Sequence, residues 1–376
     1  MSVSKERFLS LDIFRGATIC LMIIVNSPGW GALPYTQLDH AEWFGFTLTD
    51  LVFPSFLFAV GNALSFSKKN YQSNTAFFKK LLYRTCLIFL LGFLMYWFPF
   101  VHRTGNGEWA VNALSHTRIM GVLQRIALCY FFGGLIVHYF SLRQSVIIGL
   151  LFLLVYWGVL YLFSAPGEAF TMLGNAGTKI DIFVMGNNHL YHDKGGPVAF
   201  DPEGLFSTLP SIVNVIGGYV AGVFIQQKGK TYEAISKLFI AGLVLIVTAL
   251  FWSQFFPFAK KLWTSSFVLL TVGIDLMALG LFIFLVEIKQ RKKGTYFFLV
   301  FGKNPLAIYL LSELLLVCFQ LLWVKPGISF YQWVNQHFFQ VLFAGSLGTL
   351  VFAVCYMLLC WFVGFWLDKK KIYIKI

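Results

Sequence analysis

The sequence has 376 residues, of which 58% are hydrophobic and 12% are charged, and its formal net charge is +13. Soluble domains carry about 25% charged residues, so this composition excludes a soluble globular protein. The basic residues are scattered in short segments between apolar runs. That distribution is typical of loops that orient a membrane protein, and it does not indicate nucleic-acid binding.

Apolar runs of about 20 residues recur along the chain, and each is long enough to cross a bilayer as a helix. We predict an all-α polytopic membrane protein, a single transmembrane domain over residues 1–376. The ten predicted spans are 10–28, 47–67, 81–100, 118–139, 145–163, 207–226, 237–257, 264–286, 296–323 and 341–367. The six cysteines lie in these runs without metal or disulfide spacing, so we predict buried apolar side chains and no metal site.

The orientation follows from the basic residues between the spans. With ten spans both termini lie on one side, and the loops of that side carry eighteen Lys and Arg against six on the other. Basic residues are retained on the cytoplasmic side, so we predict cytoplasmic termini. The long segment at about 164–206 then lies outside.

The first two spans contain ionisable groups that a plain anchor does not need. Asp12 and Arg15 are three residues apart and can neutralise each other on one helical face. Asp50 lies at the start of the second run, ten residues after His40 and four before Pro54, which weakens the helical hydrogen bond of the Asp50 carbonyl. Buried ionisable groups usually face a cavity or a partner. The alternative is a loop histidine beside a helix-capping aspartate.

Further along the chain, Arg118 and Arg125 are seven residues apart, which predicts one face of the fourth helix. The outer segment combines polar and aromatic residues that suit a sugar, among them Asn188, His189 and Asp201, although a solvated loop is the alternative.

The ninth predicted span is interrupted by Gly302-Lys303-Asn304-Pro305. Interrupted helices are tolerated where they line a cavity or are buried in protein. Basic groups near the cytoplasmic ends suit a polyanion with phosphates, with membrane-surface anchoring as the alternative.

Short matches in chain order carry a resemblance to a known family. They are Arg7–Gly16 (RFLSLDIFRG), Val25-Asn26, His40–Thr47, Asp50–Pro54, Arg118–Arg125 (RIMGVLQR), Asn188–Tyr191, Asp201–Gly204, Lys261–Trp263, Asn304 and Lys369–Ile372. The chain resembles the heparan-α-glucosaminide N-acetyltransferase family of transmembrane acyltransferases, in its bacterial type. A protein of that type is expected in the bacterial inner membrane, with a homodimer left open.

The resemblance implies that acetyl-CoA in the cytosol donates an acetyl group to an amino sugar across the membrane. It also implies that His40 is catalytic, with Asn26 close by. Histidine suits the base that removes the ammonium proton, Asn26 suits a donor to the oxyanion, and Asp50 suits the orientation of the imidazole. We expect CoA near Arg15, Arg118, Arg125, Lys303 and Asn304, and the sugar near Trp43, Asn188, His189 and Asp201.

Two other classes of protein compete with the enzyme. A transporter of a sugar or of a lipid-linked sugar precursor would share the interrupted helix, the buried charges and the polar outer segment. A structural scaffold gives no reason for the buried ionisable groups. Stabilisation of the purified protein by CoA favours the enzyme, whereas stabilisation by sugars alone favours transport.

Overall fold

A computed structural model describes residues 8–67, 73–104, 108–192 and 199–374. The fold is helical, with two small antiparallel hairpins. The helices are α1 (Leu9–Asn26), α2 (Leu48–Ser67), α3 (Asn74–Trp97), α4 (Val122–Tyr139), α5 (Leu142–Phe163), α6 (Ala176–Met185), α7 (Thr208–Lys228), α8 (Tyr232–Trp252), α9 (Ser265–Phe282), α10 (Thr295–Lys303), α11 (Pro305–Leu321), α12 (Phe330–Val334), α13 (Gln340–Leu342) and α14 (Ser346–Lys369). The strands β1 (Val101–Arg103) and β2 (Trp109–Val111) form one hairpin, and β3 (Trp323–Lys325) and β4 (Ile328–Ser329) form the other.

The all-α polytopic class is confirmed. Within the described ranges, eight helices are long and apolar enough to cross a membrane, and the bent pair α10–α11 brings the number to nine. The remaining predicted span, 81–100, falls on the 24-residue helix α3, which begins seven residues earlier than predicted and is not among those nine. Of the basic residues counted for the predicted orientation, six are outside the described residues, namely Lys5, Arg7, Lys68, Lys69, Lys194 and Lys375.

The central contact of the bundle is formed by α2 and α7, which have the most buried apolar windows, at 72% and 67%. A Cβ at Gly218 would overlap the carbonyl oxygen of Phe58, and one at Gly61 would overlap that of Val215. Glycine at these positions lets the two backbones come closer than other side chains allow. Gly61 of α2 and Gly218 of α7 therefore serve the packing of these two helices.

The peripheral helices α5 and α8 have only 22% and 28% of their apolar windows buried, so most of their apolar side chains face away from the protein. Three of the six cysteines are also not buried as predicted. Cys86 and Cys355 are exposed and Cys318 is partly exposed, because their sides of α3, α14 and α11 are not covered by other helices.

Two further predictions concern local structure. The interruption of the ninth span is confirmed, since α10 and α11 meet at Asn304 with a bend of 84°. The prediction that Arg118 and Arg125 share a helical face is wrong, because α4 begins at Val122 and Arg118 precedes it in irregular backbone. The predicted loop at 164–206 contains the helix α6 and a short 3-10 turn at Asn187–His189.

Candidate functional site

The bundle has two ends, defined here by the residues that line cavities along α1 and α2. The end that carries Asn26, His40 and Thr49 is called the His40 end. The end that carries Arg15, Ser67 and Lys303 is called the Lys303 end. Because α1 finishes and α2 begins at the His40 end, the two helices run in opposite directions.

His40 and Asp50 form a close pair at the His40 end. The Nδ1 atom of His40 lies 2.7 Å from Oδ1 of Asp50. The carboxylate is fully buried, whereas 38% of the imidazole is exposed. A carboxylate on Nδ1 holds the proton on that nitrogen and leaves Nε2 as the acceptor nitrogen of the ring.

Asp50 also caps the helix that it begins. Its Oδ2 atom accepts hydrogen bonds from the backbone N–H of Thr47 at 3.1 Å, from the Thr47 hydroxyl at 3.1 Å and from the backbone N–H of Ala41 at 3.2 Å. The contact of this acidic side chain, at the third helical position, with the N–H of the capping residue Thr47 is one of the two hydrogen bonds of a capping box, and the N–H of Asp50 donates to the carbonyl oxygen of Thr47 at 3.1 Å. Asp50 therefore contacts the segment around the helix start through Oδ2 and the imidazole of His40 through Oδ1.

A small cavity of about 40 Å³ opens beside the imidazole. It is called the histidine cavity here, and it is lined by Met22, Val25, Asn26, His40, Thr49, Val52, Phe53, Val122, Glu203 and Lys260. Asn26 is the last residue of α1, and its amide Nδ2 donates a hydrogen bond to Oε1 of Glu313 at 3.3 Å. The three residues predicted to be catalytic thus lie together, two of them on the cavity and Asp50 behind the imidazole.

Lys260 is a neighbour of His40 that the sequence patterns did not indicate. Its Nζ atom lies 3.1 Å from Nε2 and 3.4 Å from Nδ1 of the imidazole. Burial lowers the pKa of Lys260 below its usual value, while the charges of Glu203 and Asp50 act in the opposite direction. The one available signal was its position beside the matched segment Lys261–Trp263.

A cluster of charges lies next to the histidine cavity. Arg118 binds both carboxylate oxygens of Asp201, at 2.9 and 2.5 Å, and Glu203 at 2.6 Å. Its guanidinium lies 4.9 Å from the ring centroid of Tyr96 and 5.0 Å from that of Tyr191. Burial alone would raise the pKa of Glu203, but the charges of Arg118, Lys260 and Arg125 hold it below its usual range. Arg118 therefore has two carboxylate partners, Asp201 and Glu203.

Arg125 belongs to the same region and not to the Lys303 end. It is completely buried, and its Nη2 atom donates to the carbonyl oxygen of Gly204 at 3.0 Å and to the hydroxyl of Ser207. Its guanidinium lies 4.8 Å from the ring centroid of the buried Trp263. Arg125 thus joins α4 to the start of α7.

The residues predicted to bind the sugar are spread over this end. Trp43 packs on Phe200 with 5.1 Å between ring centroids, and its indole N–H donates to the carbonyl oxygen of Phe170 at 2.7 Å. The Nδ1 atom of His189 lies 2.8 Å from the carbonyl oxygen of Thr117, and Asn188 is exposed. Asp201 is buried against Arg118, so the structure gives it a structural partner.

A larger pocket of about 410 Å³ lies at the Lys303 end. It is called the arginine pocket here. It is lined by Arg15, Phe56, Ala59, Val60, Ala63, Leu64, Ser67, Arg84, Ile88, Leu123, Ile126, Tyr130, Gly302, Lys303, Pro305, Leu306 and Ile374. Its three basic side chains come from α1, α3 and α10. Such a combination of cations and apolar wall suits an anion with an extended, less polar chain.

Two of the three basic residues of this pocket, Arg15 and Lys303, have protein partners. Arg15 donates to the Gly302 carbonyl oxygen at 3.1 and 2.5 Å and to Asp12 at 3.0 Å, so the predicted ion pair is present. Lys303 pairs with Asp368 at 2.7 Å. The side chain of Asn304 accepts from the N–H of Ile374 at 2.9 Å and donates to the carbonyl oxygen of residue 372 at 3.0 Å, and so fixes the C-terminal segment.

The two cavities approach each other in the middle of the bundle. Phe53 lines the histidine cavity and Phe56 lines the arginine pocket, one helical turn apart on α2. Val122 and Leu123, adjacent on α4, face the two cavities in the same way. Three residues of helix correspond to a rise of about 4.5 Å. A thin apolar wall thus separates the two sites.

Within the described part of the chain, no group of three or more His, Cys, Asp or Glu side chains has the arrangement of a metal site.

Comparisons with known proteins identify the family of this chain. The family model described as "Heparan-alpha-glucosaminide N-acetyltransferase, catalytic" matches residues 7–231, which include His40, Asp50 and Arg118. Among curated relatives, "Heparan-alpha-glucosaminide N-acetyltransferase" of Mus musculus is 27% identical over 99% of this chain. The protein of the same name from Homo sapiens is 27% identical over 100% of this chain. In both cases the match covers 61% of the relative. This integral, multi-pass membrane protein therefore belongs to the heparan-alpha-glucosaminide N-acetyltransferase family.

Proposed function

We propose that the protein transfers an acetyl group from acetyl-CoA, bound at the Lys303 end, to the amine of a glucosamine-type sugar at the His40 end. The observation that carries this proposal is the pair of cavities separated by about one helical turn. One of them is lined by three basic side chains, and the other is lined by His40, which is paired with Asp50. A thioester on a flexible arm that passes this wall would reach the imidazole.

The His40–Asp50 pair supports an acid–base role in acyl transfer. An amine attacks a thioester only after it has lost a proton, and His40 Nε2 is directed at the cavity while Nδ1 is held by Asp50. The ammonium ion first loses one proton to solvent; the imidazole then takes the proton that the nitrogen loses as it bonds to the acetyl carbon and passes it to the departing thiolate. A positioned acid–base group of this kind contributes about 10² to 10⁴ in rate.

Asn26 supports the same reaction from the other side of the histidine cavity. Its amide binds Glu313, which orients the side chain at the end of α1. An amide N–H directed at the developing oxyanion contributes about 10² to 10³ in kcat. We assign Asn26 to this contact.

The phosphates of the acetyl donor fit the arginine pocket. Arg15, Arg84 and Lys303 would hold them, with Asn304 fixing the backbone beside them. Arg118 and Arg125, which the sequence also indicated, have protein partners near the histidine cavity, and we assign them to the support of that site.

The acceptor sugar would bind at the His40 end. Trp43 and His189 offer an aromatic face and a polar edge, and Asn188 is exposed in the same outer segment, which together suit a sugar. With the termini in the cytoplasm, the amine would be acetylated on the outer face of a bacterial inner membrane.

The test is acetylation of glucosamine enclosed in liposomes that contain the purified protein, with acetyl-CoA supplied outside. We expect N-acetylglucosamine to form, and we expect His40→Ala to lower turnover by at least about 10² while acetyl-CoA binding persists. His102→Ala is the matched control, because His102 contacts Asn112 on the β1–β2 hairpin. Full turnover in folded His40→Ala protein would contradict the mechanism. Sugar movement without acetylation would favour transport.

A further inference from the structure

The contact of Lys260 with the imidazole has no counterpart in the mechanism so far. Asp50 holds Nδ1, so a protonated Lys260 at 3.1 Å donates to Nε2, the nitrogen that the reaction needs. Glu203 lines the same cavity, and its charge and that of Asp50 oppose the lowering of the Lys260 pKa that burial causes. The amine of Lys260 thus lies where the reacting atoms would meet.

The backbone holds Lys260 firmly in this place. The carbonyl oxygen of Lys260 accepts from the N–H of Trp263 at 2.9 Å, and Thr264 N–H donates to the carbonyl oxygen of Ala259 at 3.2 Å. Trp263 is fully buried, and its backbone dihedral φ is +54°, in the left-handed region. Few residues other than glycine take this angle, so the tight turn is fixed by its surroundings.

The turn is also joined to the segment that carries the histidine. Gly45 N–H donates to the carbonyl oxygen of Phe258 at 2.8 Å. The segment before α9, which carries Lys260, is therefore joined to the segment before α2, which carries His40. This contact fixes the position of the amine relative to the imidazole. A side chain positioned by rigid elements is what a catalytic contact requires.

We propose that Lys260 is a catalytic residue that stabilises the oxyanion of acyl transfer, an inference that rests on the proposed function. In the free protein its ammonium group occupies Nε2 of His40. When the thioester enters the histidine cavity, the ammonium group turns to the carbonyl oxygen and releases Nε2 for proton transfer.

The chemistry balances without any change in the protonation of Lys260. The acceptor nitrogen forms a bond to the acetyl carbon, and the carbonyl electrons move to oxygen, where Lys260 and Asn26 donate hydrogen bonds. The electrons return as the carbon–sulfur bond breaks. The proton of the acceptor amine passes through His40 to the sulfur, which leaves as the free thiol of CoA.

The first test measures polarisation of the thioester and does not depend on turnover. Infrared difference spectra of [1-¹³C]acetyl-CoA are recorded on the protein without acceptor and on the Lys260→Met variant. A cation at the carbonyl oxygen weakens the C=O bond, so the carbonyl band should lie at lower frequency in the unmodified protein than in Lys260→Met. Equal frequencies in the two proteins, with acetyl-CoA bound in both, would overturn the proposal.

The second test is kinetic. Lys260→Met should lower kcat by about 10² to 10³, the loss typical of one oxyanion donor, while KM for acetyl-CoA stays within about threefold. Lys261→Met removes the same charge from the same turn and serves as the control with retained turnover. Aminoethylation of Lys260→Cys, which restores an amine of nearly the same length, should recover most of kcat.

These outcomes separate the two proposals. If the unmodified protein neither binds acetyl-CoA nor acetylates glucosamine, the proposed function fails. If it does both, and folded Lys260→Met keeps kcat within about threefold, only the role of Lys260 fails. Acetylation of Lys260 itself, detected by the intact mass after incubation with acetyl-CoA, would make it an acceptor and overturn the oxyanion role.

Discussion

The substitution Asp50→Asn tests the His–Asp pair while preserving the helix that Asp50 begins. Three donors converge on Oδ2 of Asp50, namely two N–H groups and the Thr47 hydroxyl, whereas Oδ1 faces only His40 Nδ1. The amide oxygen of asparagine will therefore take the Oδ2 position. Its NH₂ group is then directed at Nδ1, which must become an acceptor.

The change in hydrogen bonding alters the proton position on the ring. With Nδ1 as an acceptor, the proton of the neutral imidazole moves to Nε2, which then cannot take a proton from the amine. The equivalent change in Ser-His-Asp proteases lowers kcat by about 10⁴. We expect a loss of about 10³ to 10⁴ here, or about 4 to 5 kcal/mol of transition-state stabilisation.

The assay is single-turnover acetylation of glucosamine in liposomes, with thermal unfolding of each variant as the measure of folding. Asp39→Asn is the matched control, because the carboxylate of Asp39 accepts from the backbone N–H of His40, at 2.8 Å, and an amide oxygen can replace it. Turnover by folded Asp50→Asn within about tenfold of the unmodified protein would refute the assignment of Asp50.

Two further predictions follow from the structure. Arg15→Glu and Lys303→Glu should each weaken acetyl-CoA binding by about tenfold or more in isothermal titration, since each reverses a charge in the arginine pocket. Unchanged affinity in both variants would contradict the assignment of the CoA phosphates to that pocket. Burial raises the pKa of Asp181 to about 7. Between about pH 4 and pH 7 the folded protein therefore keeps a proton on Asp181 that the unfolded chain releases. As the pH rises through this range, Asp181 progressively lowers the free energy of unfolding. Asp181→Asn should therefore raise Tm more at pH 8 than at pH 5, and an equal change at both would contradict the raised pKa.

The fold class could be predicted from the sequence because bilayer thickness and backbone hydrogen bonding leave few choices to apolar runs of about 20 residues. The pair His40 and Asp50 could be predicted as well, since the two residues are ten apart and flank one helix start. The interruption at Asn304–Pro305 was equally local.

The role of the basic residues could not be predicted in the same way. Helical spacing placed Arg118 on α4, but Arg118 lies before that helix, where it binds Asp201 and Glu203, 83 and 85 residues away. Periodicity describes a single helix, and it contains no information about which distant carboxylate a guanidinium will meet.

The sequence by itself determined the helical membrane class, the position of the interrupted helix and the local His–Asp pair, because each depends on neighbouring residues. Only the tertiary structure decided that Lys260, 220 residues from His40, lies against the imidazole. It also decided that α2 and α4 leave one turn of apolar wall between two cavities. Both depend on the close approach of packed helices, such as the glycine contacts of α2 with α7, and that packing is a property of the whole bundle.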